Sequence, residues 1–155
     1  MHLHQPHFQN FNKRLIKSPK LFFYDTGLAC SLLNMTSSEQ LQTHYLKGSL
    51  FENYIINEIT KAYLNLGIRP PLYFWQSKDK KEIDVLIDTP NGPLPYEIKS
   101  SKTRLHNLFK NLLYWQKLSG AVDQELRVVY GGDDDFAMSI GSFVSWRNLI
   151  AHLPI

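Results

Sequence analysis

The stretch from residue 82 to residue 99 reads EIDVLIDTPNGPLPYEIK, and its pattern decides the fold. Two runs rich in β-branched and apolar residues flank Asn91-Gly92, a dipeptide that is typical of a hairpin turn. An earlier strand candidate, Leu72 to Gln76, is joined to the first of these runs through a second turn at Asp79-Lys80. The sequence therefore predicts an antiparallel meander of three strands, Leu72 to Gln76, Glu82 to Asp88 and Leu94 to Lys99.

Alternation of side chains along these strands predicts where their polar groups lie. In the second strand, it places Ile83, Val85 and Ile87 on one face and Asp84, Leu86 and Asp88 on the other. In the third strand, Tyr96 and Ile98 take the core face, and Glu97 and Lys99 share the opposite one. We therefore expect Asp84 and Glu97 to lie side by side, with Lys99 next to them.

Carboxylate oxygens are the ligands that a hard divalent cation such as Mg²⁺ prefers. Such a cation polarises a phosphodiester and activates a bound water, and Lys99 could orient that water or neutralise charge on the phosphate. The competing interpretation is an ordinary cross-strand salt bridge between Lys99 and a carboxylate.

The elements around the meander predict an α/β domain with a mixed sheet flanked by helices. An apolar stripe at helical spacing marks a long helix from Gly48 to Leu66, which Gly67 ends. The other predicted elements are a short helix capped by Asp25 or Thr26 and ending at Leu33, a helix over Thr103 to Leu118, a strand over Leu126 to Tyr130, and a strand running into a helix over Phe143 to Leu153. The core order is helix, three strands, helix, strand.

Two polar residues fall within the apolar arcs of the predicted helices. Glu52 lies there on the first helix, where a carboxylate is costly unless it is paired, and Gly48 one turn earlier allows close approach to the sheet. Glu52 is thus a third candidate metal ligand, or an acid that reaches solvent at the rim of the helix. Gln116 lies similarly on the second helix, as a contact to the site or substrate, or as a buried amide bonded to the backbone.

Composition limits the class of protein without naming a function. The chain has 155 residues, of which 43% are hydrophobic and 13% aromatic, which fits one globular domain and excludes intrinsic disorder. The single cysteine, Cys30, excludes an internal disulfide framework and favours a reducing, cytoplasmic location. No apolar run is long enough to span a membrane, so we expect no membrane partner.

The net charge is only +3, but the cations are clustered. Residues 1–20 show no periodicity and are interpreted as an extended basic arm, with residues 21–155 as the single domain. The histidines of this arm, His2, His4 and His7, are interpreted as part of a mobile N-terminal segment and not as metal ligands. Basic side chains can contact a phosphate backbone, and the candidates here are Lys13, Arg14, Lys17 and Lys102.

Several motifs together resemble a known superfamily. Gly48-x-x-x-Glu52 on a helix, Ile83-Asp84 on a strand and Glu97-Ile98-Lys99 on the next strand resemble the PD-(D/E)XK nucleases. With Gln116 downstream, the arrangement is closest to the RecB-like branch, although Gly120 stands where that branch usually carries tyrosine. The resemblance implies a restriction-endonuclease-like core in which Glu52, Asp84, Glu97, Lys99 and Gln116 are the catalytic residues.

The wider chain is similar to a narrower family, the uncharacterised C-terminal domain of bacterial and archaeal AAA+ ATPases. The similar segments are residues 13–28 (KRLIKSPKLFFYDTGL), Gly48-x-x-Phe51-Glu52-Asn53, Tyr73-Phe74-Trp75, and Tyr96-Glu97-Ile98-Lys99-Ser100-Ser101. The resemblance implies an upstream or partner ATPase. No P-loop motif occurs in this sequence, so ATP hydrolysis is not expected of it, and the chain is interpreted as a fragment or a shortened gene product.

Two functional hypotheses follow. The first is a DNA phosphodiesterase dependent on Mg²⁺ or Mn²⁺, with Glu52, Asp84 and Glu97 as metal ligands. The second is a catalytically silent module that binds DNA or a protein and regulates the ATPase, since fold does not fix function. Association of the chain with itself is compatible with both.

Overall fold

A mixed β-sheet runs through the part of the chain that the computed structural model describes, residues 1–7, 18–121 and 124–155. Eight strands within these residues form the sheet, in the order β2-β1-β3-β4-β5-β6-β8-β7. The strands are β1 (His2–Pro6), β2 (Lys20–Phe22), β3 (Leu72–Gln76), β4 (Glu82–Ile87), β5 (Leu94–Lys99), β6 (Arg127–Tyr130), β7 (Phe136–Met138) and β8 (Gly141–Ser145). The expected mixed sheet is therefore confirmed.

The helices lie on both faces of this sheet. They are α1 (Thr26–Leu32), α2 (Ser38–Thr43), α3 (Lys47–Asn65) and α4 (Lys110–Ser119), with 3-10 turns at His106–Phe109 and Leu149–His152. The α3 helix packs a core with β4 and β5 on one face, and α4 packs a second core on the other. Of the predicted second helix, only the part from Lys110 is α-helical.

Local sequence signals explain where these elements begin and end. The carboxylate of Asp25 accepts the amide N–H of Leu28 at 3.0 Å and so caps α1, as predicted. Gly67 follows α3 with a φ of 73°, and the Ile68 N–H then bonds the Tyr63 carbonyl at 3.0 Å. This left-handed turn after α3 suits glycine and explains why the helix stops there.

The three-stranded meander is confirmed, including both turns. β4 is antiparallel to β3 and to β5, whereas β5, β6 and β8 run parallel. Gly92 has a φ of 101° in the β4–β5 turn, and Lys80 takes a φ of 58° in the β3–β4 turn. These turns hold β4 and β5 in the order that the sequence predicts.

The start of the chain is part of the sheet. β1 lies between β2, to which it is antiparallel, and β3, to which it is parallel. His4 and His7 are buried, and the His2 ring is bonded to Asn57 on α3 at 3.1 Å. The extended-arm interpretation did not include this strand, because a short run with two histidines and a proline has no apolar alternation to reveal it.

No helix among the described residues is long and apolar enough to cross a membrane.

Candidate metal centre

A bulge in β4 positions the first carboxylate of the site. Tyr73 pairs with Leu86 and Trp75 pairs with Ile83, so two residues of β4, Asp84 and Val85, face the single residue Phe74 of β3. A bulge of this kind re-aims a side chain and commonly marks a functional site. Strict alternation in β4 is therefore wrong.

Because of the bulge, Ile83 lies on the same face of the sheet as Leu86 and not on the face of Val85 and Ile87. Ile83 packs with Leu86 in the core on the α4 side, whereas Val85 and Ile87 pack in the core on the α3 side. Asp84 lies close to Glu52 of α3, so the acid and Val85 point to the same side of the sheet. The extra residue thus carries a carboxylate to the face that α3 covers.

The β4–β5 ladder ends where this carboxylate begins. The last pair on that side is Val85 with Tyr96, and beyond it the Ile98 N–H donates to Asp84 Oδ2 at 2.7 Å. The carboxylate replaces a strand carbonyl as the acceptor and is held rigidly, with Asp84 only 7% exposed. The parting of the two strands leaves room for further polar groups.

Three carboxylates meet at this point. Glu52, Glu82 and Asp84 each place an oxygen so that the three oxygens lie within 4.8 Å of one another. Glu52 comes from the first half of α3, and Glu82 begins β4, where Gln76 Nε2 donates to its Oε2 at 2.7 Å. Such a group of oxygens matches the preference of Mg²⁺ or Mn²⁺.

Lys20 of β2 is the cation closest to this group. Its ammonium contacts Glu52 Oε1 at 3.0 Å and also forms an ion pair with Glu82. Burial lowers the pKa of Lys20, but the charges of Glu52 and Glu82 outweigh that effect and raise it above the usual 10.5. Lys20 therefore stays charged and offsets part of the negative charge of the cluster.

Lys99 links this group to Glu97. Its Nζ lies 2.6 Å from Glu97 Oε1 and 3.5 Å from Asp84 Oδ2, and it also donates to the Ile98 carbonyl at 3.1 Å. Burial lowers the pKa of Lys99, but Asp84 and Glu97 together raise it above 10.5. Lys99 thus contacts both Asp84 and Glu97, a proximity that the hairpin register predicts although regular alternation in β4 does not hold.

The surroundings of Glu97 disfavour the ionised form of its carboxyl group. Burial first, and the charge of Asp84 second, raise its pKa from 4.5 to about 8, against the opposing effect of Lys99. Its Oε2 atom is buried and finds no hydrogen-bond partner among the residues that the structure describes. A buried carboxylate oxygen without a partner is costly, and a positive charge nearby would lower that cost.

The ionised form of Glu52 is disfavoured in the same way. Its pKa is raised by burial and then by Asp84, with Lys20 acting in the opposite direction. Its side chain is 22% exposed and points at the cluster. The four acids Glu52, Glu82, Asp84 and Glu97 face the two ammonium groups of Lys20 and Lys99, so the fully ionised site carries a net charge of −2.

The remaining predicted site residues lie elsewhere or outside the described residues. Gln116 Nε2 donates to the Gln124 carbonyl at 3.2 Å, and Gln124 in turn donates to the Asn91 carbonyl, at the turn end of β4 and β5. Lys102 is exposed and lies 3.6 Å from Asp133. Lys13, Arg14 and Lys17 lie outside the described residues.

Sequence reasoning missed Glu82 and Lys20. Glu82 carried a usable signal, because it lies two residues before Asp84 and so shares its face in a regular strand. Lys20 carried none, since it reaches the carboxylates only through the pairing of β2 with β1 and of β1 with β3.

Comparison with known proteins points to one family. The sequence model of a domain of unknown function, DUF4143, matches residues 47–149, which include α3 and β3 to β8. A second domain of unknown function, DUF8612, matches residues 1–39. All four acids and Lys99 fall within the first match, and Lys20 falls within the second.

Two curated relatives extend this likeness without a stated function. The uncharacterized protein Mb2031c of Mycobacterium bovis and the uncharacterized protein Rv2008c of Mycobacterium tuberculosis are each 27% identical over 135 residues. The match covers 86% of this chain and 29% of each relative, so the chain spans less than a third of their length. No solved structure gives a significant match.

Proposed function

The chain belongs to the DUF4143 family, and we propose that it is a phosphodiesterase domain that cleaves nucleic acid with the help of Mg²⁺ or Mn²⁺. The observation that carries this proposal is the convergence of Glu52, Glu82 and Asp84 within 4.8 Å beside the Lys99 ammonium. Carboxylates and a lysine in contact are the groups that metal-assisted phosphodiester hydrolysis requires.

The residues present fit a divalent cation on two independent grounds. The first is charge, because the four acids outnumber the two ammonium groups and carry a net −2 once Glu97 is ionised, which a divalent cation would offset. The second is the donor set, since three carboxylate oxygens within 4.8 Å of one another suit a hard divalent cation. Glu52, Glu82 and Asp84 would hold the cation. Glu97, which the sequence predicted as a ligand, lies outside this group of oxygens, and Glu82 takes its place.

Each residue then has a defined task. A bound cation polarises the phosphodiester and lowers the pKa of a water ligand. Lys99 Nζ donates to Glu97 Oε1 and is placed to donate to the attacking oxygen or to the developing charge on the phosphate. Asp84 is fixed by the Ile98 N–H, so its other oxygen keeps a constant position.

The topology supports the finer assignment to the PD-(D/E)XK superfamily. A helix bearing the first acid precedes the antiparallel meander, and a helix and a parallel strand follow it. The acid on β4 and the Glu-x-Lys motif on β5 lie where the two strands part. We propose a restriction-endonuclease-like core on these grounds.

A catalytically silent module that binds DNA or a protein is the second candidate. The contacts of Lys20 with Glu52 and Glu82 favour it, because an ammonium group can neutralise carboxylates without a metal. In this alternative, the basic residues Lys13, Arg14, Lys17 and Lys102 bind the phosphate backbone, and affinity falls steeply with salt.

A cleavage assay separates the two candidates. Purified protein is incubated with single-stranded and double-stranded DNA in Mg²⁺ or Mn²⁺, beside the variants Lys99→Ala and Asp84→Ala. The proposal expects cleavage by the wild type and a loss of roughly a hundredfold or more in each variant. Lys61→Ala is the matched control, since its exposed ammonium pairs with Glu58 of the same helix.

Metal binding is measured on the same proteins by titration calorimetry without DNA. We expect Glu52→Gln to weaken binding of Mn²⁺ and Lys61→Ala to leave it unchanged. Wild-type protein that binds DNA but cuts none of the substrates with either metal would refute the phosphodiesterase.

We also propose that the domain works beside an ATPase domain. The resemblance of residues 13–28 and of the Glu-x-Lys segment supports this, and the curated relatives have ample length outside the match. ATP hydrolysis by the full-length mycobacterial relative, measured with and without DNA, tests it. Absence of ATP hydrolysis under both conditions would contradict the proposal.

A further inference from the structure

A cavity of about 520 Å³ lies against the first half of α3 and the end of β5, and residues adjacent in sequence to Glu52 and Lys99 line it. Its walls come from α1, α2, the first half of α3 and the residues that follow β5, β6 and β8. Phe51 of this lining precedes Glu52, and Ser100 follows Lys99. The cavity and the candidate metal centre therefore share both α3 and the end of β5.

One wall of the cavity is aromatic. Phe51, Tyr54 and Trp146 are half-buried and line it, and the rings of Tyr54 and Trp146 meet edge to face with centroids 5.8 Å apart. The Arg147 guanidinium lies over the Trp146 ring, 4.3 Å from its centroid, and adds a second planar group to this wall. Aromatic rings and guanidinium planes are the groups on which unpaired bases stack.

The rim of the cavity is basic. Lys47, Lys102 and Arg147 line it, and the Lys102 side chain is 76% exposed. Asp133, the acid on this rim, is held by Arg147 at 3.1 Å and by Lys102 at 3.6 Å. Three cations against one acid leave a positive edge that suits a phosphate.

Polar groups complete the lining. Thr26, Gln42 and Ser100 offer hydroxyl and amide groups that can bond the edge of a base. An aromatic wall, a few polar groups and a cationic rim in one concave site are the features of a nucleotide-binding pocket.

We infer that this cavity holds an unpaired base of the nucleic acid whose backbone lies at the carboxylates, so that the substrate is a single strand or a frayed end. The inference rests on the proposed function for the identity of the ligand. A base in a duplex cannot enter such a cavity, because it must first leave the stack. The base stacks on Trp146, and its phosphate contacts Arg147 and Lys102.

The test measures binding without cleavage. Fluorescence anisotropy follows a labelled oligodeoxythymidylate and a duplex of equal length in buffer with EDTA. We expect Trp146→Leu to weaken single-strand binding roughly tenfold and to leave duplex binding nearly unchanged, as loss of one stacked base implies. Trp146→Phe, which keeps a ring, is expected to restore most of the affinity.

Two further variants keep the test valid if Trp146→Leu folds poorly. Arg147→Gln changes an exposed side chain and is expected to weaken single-strand binding and to reduce its dependence on salt. Phe136→Leu is the matched control, since Phe136 is 46% exposed and also lies under an arginine, Arg104, at 4.6 Å but outside the cavity lining. Phe136→Leu is expected to bind as the wild type does.

The outcomes of this test and of the cleavage assay are independent. Wild-type affinity in Trp146→Leu and Arg147→Gln, equal weakening for single strand and duplex, or no binding by the wild type would each overturn the inference. A Trp146 effect without cleavage in either metal would leave the pocket standing and remove the phosphodiesterase. Cleavage without a Trp146 effect would support the phosphodiesterase and rule out the base pocket.

Discussion

The two ends of the β4–β5 strand pair bury different kinds of side chain. Toward the turn at Gly92, the strands pair from Val85–Tyr96 to Ile87–Leu94, and Val85, Ile87 and Tyr96 are fully buried. Beyond Val85 the ladder stops, and a side-chain carboxylate replaces a backbone acceptor. One end gains stability from apolar packing, whereas the other collects charged groups that cost stability.

The apolar end of the strand pair contributes to the stability of the fold, whereas the charged end supplies the groups of the candidate site. Burying apolar groups is favourable without any partner, but burying four carboxylates is tolerated only if cations accompany them. Lys20 and Lys99 supply only half of the compensating charge. We therefore expect mutations at the apolar end to change stability and mutations at the charged end to change the response to pH and metal.

The largest effect is expected at the apolar end. Ile87→Ala removes fully buried methyl and methylene groups and should lower the free energy of unfolding by about 2–5 kcal/mol, measured by urea denaturation. The control is Ile150→Ala, since Ile150 is 44% exposed and its change should stay within about 0.5 kcal/mol. Equal losses in the two variants would contradict the comparison.

A smaller effect is expected from the ionisation of Glu97. The unfolded chain releases this proton near pH 4.5, whereas the folded protein, in which the pKa is about 8, retains it. Between these values the folded state binds the extra proton, so the free energy of unfolding falls as pH rises. Glu97→Gln abolishes this titration and should gain roughly 3 kcal/mol relative to wild type between pH 5 and pH 8.

Chemical denaturation of both proteins at several pH values measures that difference. Added Mn²⁺ should reduce the loss in wild type, since a cation favours the charged carboxylate, and should do less in Glu97→Gln. A stability difference that does not change with pH would show that Glu97 is not held protonated.

The smallest effect is expected for Lys20→Met, which should lower the free energy of unfolding by about 1 kcal/mol. The variant leaves the four acids with one ammonium group, so Mg²⁺ should raise its melting temperature more than that of wild type. Lys61→Met, which removes an exposed lysine of α3, should respond as wild type does. A weaker response to Mg²⁺ in Lys20→Met would mean that Lys20 supports the cluster structurally and does not compete with a cation.

The sequence predicted the parts of the fold that depend on local pattern. Asn91-Gly92 and the apolar runs around it predicted the meander, and the stripe along α3 with Gly67 after it predicted the long helix. These features depend on residues close together in the chain, where turn chemistry and periodicity act directly.

The parts that depend on distant residues could not be predicted in this way. Strand β1 gains its place only by pairing with β2 and β3, and Lys20 reaches Glu52 only through that arrangement. The bulge at Asp84 was also missed, because alternation assumes a regular strand. The proximity of Asp84, Glu97 and Lys99 was still predicted, since it depends mainly on the register of one hairpin.

The β4 bulge has a consequence for how such a site can be gained or lost. With Asp84 removed, Val85 would stand opposite Phe74, and Ile83, Val85, Leu86 and Ile87 would alternate regularly between the two cores. The bulged strand that presents Asp84 and a regular apolar strand thus differ in length by one residue. An insertion or deletion of a single codon, rather than a series of substitutions, separates them.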